Sequence, residues 1–220
     1  VQARNLRTRG RTAQALAASE RAMRIAAAVY ASTPRHPVLS EARFTHGFIL
    51  ADNGRYREAV QAFRAALADT EALFGRASRR YGLRLGASSE IFAQAGLLRE
   101  AIDNAEQART ILMAYAPPRS RLDAATAEAV ALAHNWVRDG ERALPLWRQA
   151  EAVYRELLGE SNWAVQVTRR NLSLALTWAG QLGEAERVMN DVTARQPTLA
   201  RDGYDAARRM PDFGVTPYGG

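Results

Sequence analysis

Ala59, Ala101, Ala143 and Ala185 recur at intervals of 42 residues, and the chain around them recurs with them. Gly54-Arg55-Tyr56-Arg57-Glu58-Ala59 is matched by Gly96-Leu97-Leu98-Arg99-Glu100-Ala101 and by Gly180-Gln181-Leu182-Gly183-Glu184-Ala185. Asp139-Gly140-Glu141-Arg142-Ala143 is a shorter form of the same stretch. A fixed period of this length confines a chain to an array of like units, each covering its neighbour's apolar face.

The spacing within each unit is helical. Four and seven residues after the alanine come Phe63/Ala66, Ala105/Ala108, Trp147/Ala150 and Met189/Val192, one apolar stripe of a helix. Twelve residues before it stands a small residue (Gly47, Ser89, Ala131, Ser173), and nine before it a larger one (Leu50, Phe92, His134, Leu176). Small residues admit a close helix approach and the larger ones fill the space that remains. The unit is therefore two antiparallel helices joined by a turn at Gly54, Gly96, Gly140 or Gly180. First helices are predicted near 38–51, 79–95, 120–138 and 162–179, and second helices near 56–74, 98–114, 141–158 and 182–195, with an extra one near 11–30. Pro117-Pro118 precede Ser120, an N-cap candidate with Asp123 three residues on. The third turn reads as two residues short, with Pro145 in the first turn of the helix after it. Pro197 and Pro211 bracket a separate capping helix over 197–210, and 211–220 reads as a flexible tail.

Composition limits the chemistry. The net charge is +7, and all thirty basic residues are arginine, a usage that points to a GC-rich bacterial genome. The absence of cysteine excludes disulfides, thiolate metal sites and cysteine nucleophiles. No apolar run reaches the roughly 18–20 residues that span a bilayer. Gly10-Arg11-Thr12-Ala13-Gln14-Ala15 repeats the Gly-to-Ala pattern 44 residues before Gly54. Residues 1–37 thus read as a partial repeat holding a second helix, followed by four repeats over 38–196, and the chain as a fragment of a longer protein.

These residues resemble the tetratricopeptide repeat. The small residue, the large residue, the turn glycine, Ala59, Phe63 and Ala66 fall in that family's order, and 42 is the period of its kinesin-light-chain-like subclass. Leu73-Phe74-Gly75 and Leu157-Leu158-Gly159 look like the subclass's Leu-Gly junction, and His36-Pro37-Val38 like the His-Pro that opens its next helix. The resemblance covers roughly residues 10–195. It implies an all-α, right-handed α-solenoid that binds extended peptides or helices along a concave wall of first helices.

Carried over residue by residue, that wall holds Phe44, Phe48 and Asp52 with Glu41 and Thr45 in the first repeat. It continues with Glu90, beside Leu83, Ala87 and Gln94, and then with Glu128, Leu132, Asn135 and Trp136. The last repeat supplies Arg170, Asn171, Leu174 and Trp178, with Thr177. Trp136 and Trp178 are equivalent positions, suited to anchoring a peptide. Each ring has an alternative reading as packing between repeats. The lysine–asparagine clamp with which some members grip a terminal carboxylate is not reproduced.

Arginines cluster at Arg4, Arg7, Arg9 and Arg11, at Arg76, Arg79, Arg80 and Arg84, at Arg119 and Arg121, and at Arg169 and Arg170. They read first as a solvated face and second as phosphate contacts. No phosphate loop, nucleophile elbow or zinc-protease motif is present. His46 and His134 sit at packing positions on different repeats, and Glu90 with Glu128 read as solvated wall carboxylates rather than an acid–base pair. The expectation is a non-enzymatic protein-interaction or sensory module of a larger bacterial protein, needing no cofactor or metal, whose partner is a protein or peptide. A nucleic-acid-binding regulator and a self-association module are the alternatives. The expected compartment is the cytoplasm, or the periplasm if an upstream part carries a membrane span.

Overall fold

The structure, a computed structural model, describes residues 2–33 and 35–209, with side chains to residue 195 apart from that of Thr8. All regular structure among the described residues is helical: α1 (Gln2–Thr8), α2 (Thr12–Val29), α3 (Pro37–Asp52), α4 (Tyr56–Phe74), α5 (Arg79–Gln94), α6 (Leu98–Met113), α7 (Arg121–Trp136), α8 (Gly140–Leu158), α9 (Trp163–Trp178) and α10 (Leu182–Arg209). The helices fall into two compact units, Val1–Ile111 and Leu112–Gly220. In the first, each helix from α1 to α5 packs on the next, and Ala108 of α6 joins Leu67, Tyr81 and Leu85. In the second, α7 packs on α8, α8 on α9 and α9 on α10. No helix among the described residues is long and apolar enough to cross a membrane.

The apolar positions read from the period are the interior. Ala59, Phe63, Ala66, Ala101, Ala105, Ala108, Ala143, Trp147, Ala150, Ala185 and Val192 are buried, as are Leu50, Phe92, His134 and Leu176. In the first and third repeats the small residue twelve before the alanine is buried against the large one four after it. A Cβ on Gly47 would lie 2.9 Å from the Phe63 ring, so the ring occupies the space that glycine leaves. In the second unit Ala131 and Trp147 meet in one cluster with Leu172 and Leu176.

First helices begin at a second periodic feature, which the sequence pattern shows only at Ser120. His36, Ser78, Ser120 and Asn162 are also 42 residues apart, and each side chain accepts a backbone N–H, from Val38, Tyr81, Asp123 and Ala164 respectively. Each such cap satisfies one of the amides a helix start leaves without a partner, worth about 1 kcal/mol. At Ser120 the arrangement is doubled, because Asp123 accepts the Arg119 amide at 3.0 Å.

The third turn is not shortened. Gly54, Gly96 and Gly180 adopt φ of 74°, 82° and 75°, and the residue in their place is Arg138 at 59°, five residues before Ala143 like the others before their alanines. Its amides close the same turn: Arg138 N–H reaches Asn135 O and Asp139 N–H reaches His134 O, as Gly54 reaches Ala51 and Arg55 reaches Leu50. Gly140, expected as the turn residue, is instead the first residue of α8. A Cβ there would stand 2.6 Å from the Ala179 amide nitrogen and against Ala175 O, so this glycine admits the end of α9. Pro145 lies beyond the first turn, as the sixth residue of α8, and the helix continues through it at the loss of one amide bond.

Two further expectations meet a different chain path. Residues 2–8 add the short helix α1, packed on α2, to what the pattern reads as a lone second helix. At the other end α10 runs from Leu182 to Arg209 without the break expected at Pro197, since proline removes one amide donor without barring helical dihedrals. Residue 210 and the stretch 211–220 expected as a tail lie outside the described residues.

Placing Arg138 in the left-handed region costs roughly 1–2 kcal/mol. Arg138→Gly is therefore expected to raise stability by about 1 kcal/mol, whereas Gly140→Ala should lower it by about 2 kcal/mol or more. Thermal denaturation of both variants checks this; the opposite order would return the turn to Gly140.

Candidate interaction surfaces

In the first unit the wall residues are mostly engaged with one another. Phe44 is 3% exposed and meets Phe48 and Phe63 edge-on, with ring centroids 5.2 and 5.3 Å away. It builds the wall from behind. Phe48 is half-buried, and the Arg7 guanidinium lies over its ring at 5.0 Å. That same guanidinium bonds Asp52 at 2.6 Å. Glu41 bridges two helices, accepting from Arg4 of α1 at 2.9 Å and from Arg84 of α5 at 2.6 Å. Glu90 is exposed and accepts from Gln94 one turn on.

Arg84 reaches furthest inward. Only 5% exposed, it gives hydrogen bonds to the hydroxyls of Ser40 and Thr70, and its guanidinium lies 5.0 Å from the Phe44 ring centroid. Burial pulls its pKa down, and Glu41 opposes that shift. The arginine set assigned to phosphate contact is thus dispersed. Arg84 is interior, Arg76 pairs with Glu71 at 3.1 Å, and Arg80 lies over Phe74 at 4.4 Å. Spacing alone shows Arg84 on a helix, and only the packed α3–α4 pair reveals that its head enters the core.

The second unit holds its wall differently. Asn135 is buried and donates its side-chain N–H to Asn171 O at 3.2 Å, tying α7 to α9. Leu132 is partly buried against the Trp147 cluster. Glu128 accepts the Tyr154 hydroxyl proton at 3.0 Å, and burial pushes that phenol above its usual range, with Glu128 adding to the shift. Around this fixed frame Trp136 is 43% exposed and Leu174 is 42% exposed, with Trp178 partly buried and Arg170 exposed. Trp136 and Leu174 are thus large apolar side chains open to solvent, and Arg170 is an exposed cation one turn before Leu174 on α9.

No group of three or more His, Asp or Glu side chains able to hold a metal occurs among the described residues. His46 is committed to Ser19 at 2.9 Å, its pKa lowered by burial against the opposing pull of Glu20. His134 is buried, 3.7 Å from Asp139.

Residues 47–79 match the tetratricopeptide repeat family model. A crystal structure of a singly substituted form of a Podosopora anserina protein, described as kinesin light chain with nearly identical TPR-like repeats, superposes with a TM-score of 0.74 at 20% identity, covering 91% of this chain and 93% of that one. The structure of the same repeats without that substitution gives 0.73 at 20% identity, covering 91% and 94%. BtubC (BKLC) from P. vanneervenii gives 0.71 at 17% identity, covering 99% of this chain and 83% of that one. No curated protein matches.

Because Arg84 is buried and its charge is met chiefly by Glu41, the two partners should respond unequally. Glu41→Gln leaves an interior cation undercompensated and should cost about 2 kcal/mol, whereas Arg84→Met should cost under about 1 kcal/mol. Urea denaturation of the two variants measures the difference. A negligible loss in Glu41→Gln beside a large one in Arg84→Met would mean that Arg84 is held by its hydroxyl partners alone.

Proposed function

We propose that this tetratricopeptide-repeat chain, whose fold is that of kinesin-light-chain-like arrays, is a protein-interaction module that binds a peptide or protein segment on its first-helix face. The contact lies in the second unit. One observation carries the reading: Trp136 and Leu174 remain about two-fifths exposed while the residues around them, Asn135 and Leu172, are fixed and buried. Large apolar side chains on a rigid frame suit anchoring, because little side-chain freedom is left to lose on binding. Arg170 beside them favours a segment with a carboxylate near its apolar residues. The first unit contributes less to binding, since Asp52, Glu41 and Phe48 are already met by Arg7, Arg4 and Arg84.

Nothing in the site calls for catalysis, and the module's place is in a larger bacterial signalling protein, to which it would supply partner recognition. The nucleic-acid reading is weakened by Arg84, whose buried head leaves the expected phosphate-facing row without its third member.

Trp136→Ala combined with Leu174→Ala is expected to reduce capture of a defined native partner at least tenfold, measured by titration, with helical content unchanged by circular dichroism. Retained affinity would remove these residues from the site. Loss of helical content would make them packing residues.

A further inference from the structure

A second surface lies on the opposite side of α9. Arg169 and Trp178 are nine residues apart, which at 3.6 residues per turn places them on opposed faces. On the Arg169 side, α8 and α10 border a cleft of about 580 Å³. Its α8 edge is Arg148, Glu151, Ala152 and Arg155, and its α10 edge is Glu184, Arg187, Val188, Asp191 and Arg195. Both rows follow helical spacing, and Leu172 with Arg169 forms the floor.

Five guanidiniums and three carboxylates line this cleft. The carboxylates are committed. Arg169 uses all three of its nitrogens, bonding Glu151 at 2.7 Å, Asp191 at 2.5 Å and, just outside the lining, Glu160 at 2.8 Å. Glu184 takes Arg148 at 3.1 Å, and Asp191 also takes Arg195 at 3.0 Å. Two cations are held less firmly. Arg155 stands 3.9 Å from Glu151 with no hydrogen bond to it, and Arg187 pairs with no carboxylate among the described residues. The cleft therefore carries a fixed, neutralised interior and, at its edges, one guanidinium without a carboxylate partner, Arg187, and one held only by a long ion pair, Arg155.

We propose that the α8/α10 cleft binds a short acidic segment of a partner protein, distinct from the segment held by the first-helix face. Arg155 and Arg187 each take one carboxylate in the planar, two-pronged geometry that guanidinium offers. Ala152, Leu172 and Val188 give an apolar bed for the side chain between the two acids. From Arg148 to Arg155 the edge rises about 10 Å, the length of roughly three extended residues. A bare inorganic anion would leave most of this volume empty, whereas an alternating acidic and apolar segment fills it.

The probe is a fluorescein-labelled Leu-Glu-Leu-Glu-Leu peptide titrated against the full chain by fluorescence anisotropy. Binding is expected to saturate, to weaken at least tenfold in the Arg155→Gln, Arg187→Gln double variant, and to weaken equally when both glutamates of the peptide become glutamine. It should be unchanged in the Trp136→Ala, Leu174→Ala variant, so failure here and failure of the first-helix site are separable. Because both arginines are exposed, circular dichroism of the double variant should match the parent. The proposal is overturned by absence of saturation, by insensitivity to the arginine substitutions, or by loss of binding in the Trp136, Leu174 variant. Displacement by inorganic phosphate at the same concentration as unlabelled peptide would also overturn it, by showing a site that takes any anion.

Discussion

In the first and third repeats, the fit of a small residue on the first helix to a larger one on its partner sets the distance at which the two helices lie. At Gly47 the Phe63 ring stands where a Cβ would otherwise be, and Ala131 meets Trp147 in the same relation. Packing this close leaves the interface no room for a change of register, because a shift of one residue would drive a side chain into the ring. Ala59 and Ala143, four residues before Phe63 and Trp147, are fully buried in the same interfaces. Once that distance is set, the left-handed turn and the side-chain caps follow at fixed offsets from it, and one period is repeated through the chain.

The two units use this frame to different ends. In the first, arginines from α1 and α5 close over the α3 wall, so that Glu41, Asp52 and Phe48 spend their interactions inside the protein. In the second, the polar groups at the same level turn inward: Asn135 toward a backbone carbonyl and Glu128 toward Tyr154. Trp136 and Leu174 on the same helices remain about two-fifths exposed. The same architecture thus carries a wall whose polar groups are met from α1 and α5 in one unit and a wall with exposed apolar side chains in the other, and the difference arises from a handful of side chains.

Helix positions were legible because the period is strong and apolar burial is what it encodes. The four alanines, the residues flanking them and the limits of α3 through α9 could be read to within two residues. The third turn misled because glycine marks two different needs. Gly54 serves a positive φ, Gly140 serves a close backbone approach, and Arg138 fills the turn without being glycine. Three of the four caps were hidden by unlike side chains, histidine, serine and asparagine, that share only an acceptor atom at one offset. Wall exposure was the least legible. Whether Phe44 faces outward depends on Phe63 and Arg84, 19 and 40 residues away in sequence, and periodicity carries no record of which side chain turns inward.

The most direct measurement is a double-mutant cycle between Gly47→Ala and Phe63→Leu, read by urea denaturation. If the ring occupies the space glycine leaves, Gly47→Ala should be costly beside phenylalanine and much less so beside leucine, with a coupling energy of about 1 kcal/mol or more. Strict additivity of the two changes would show that helix spacing is set elsewhere, and would contradict the packing rule on which the repeat rests.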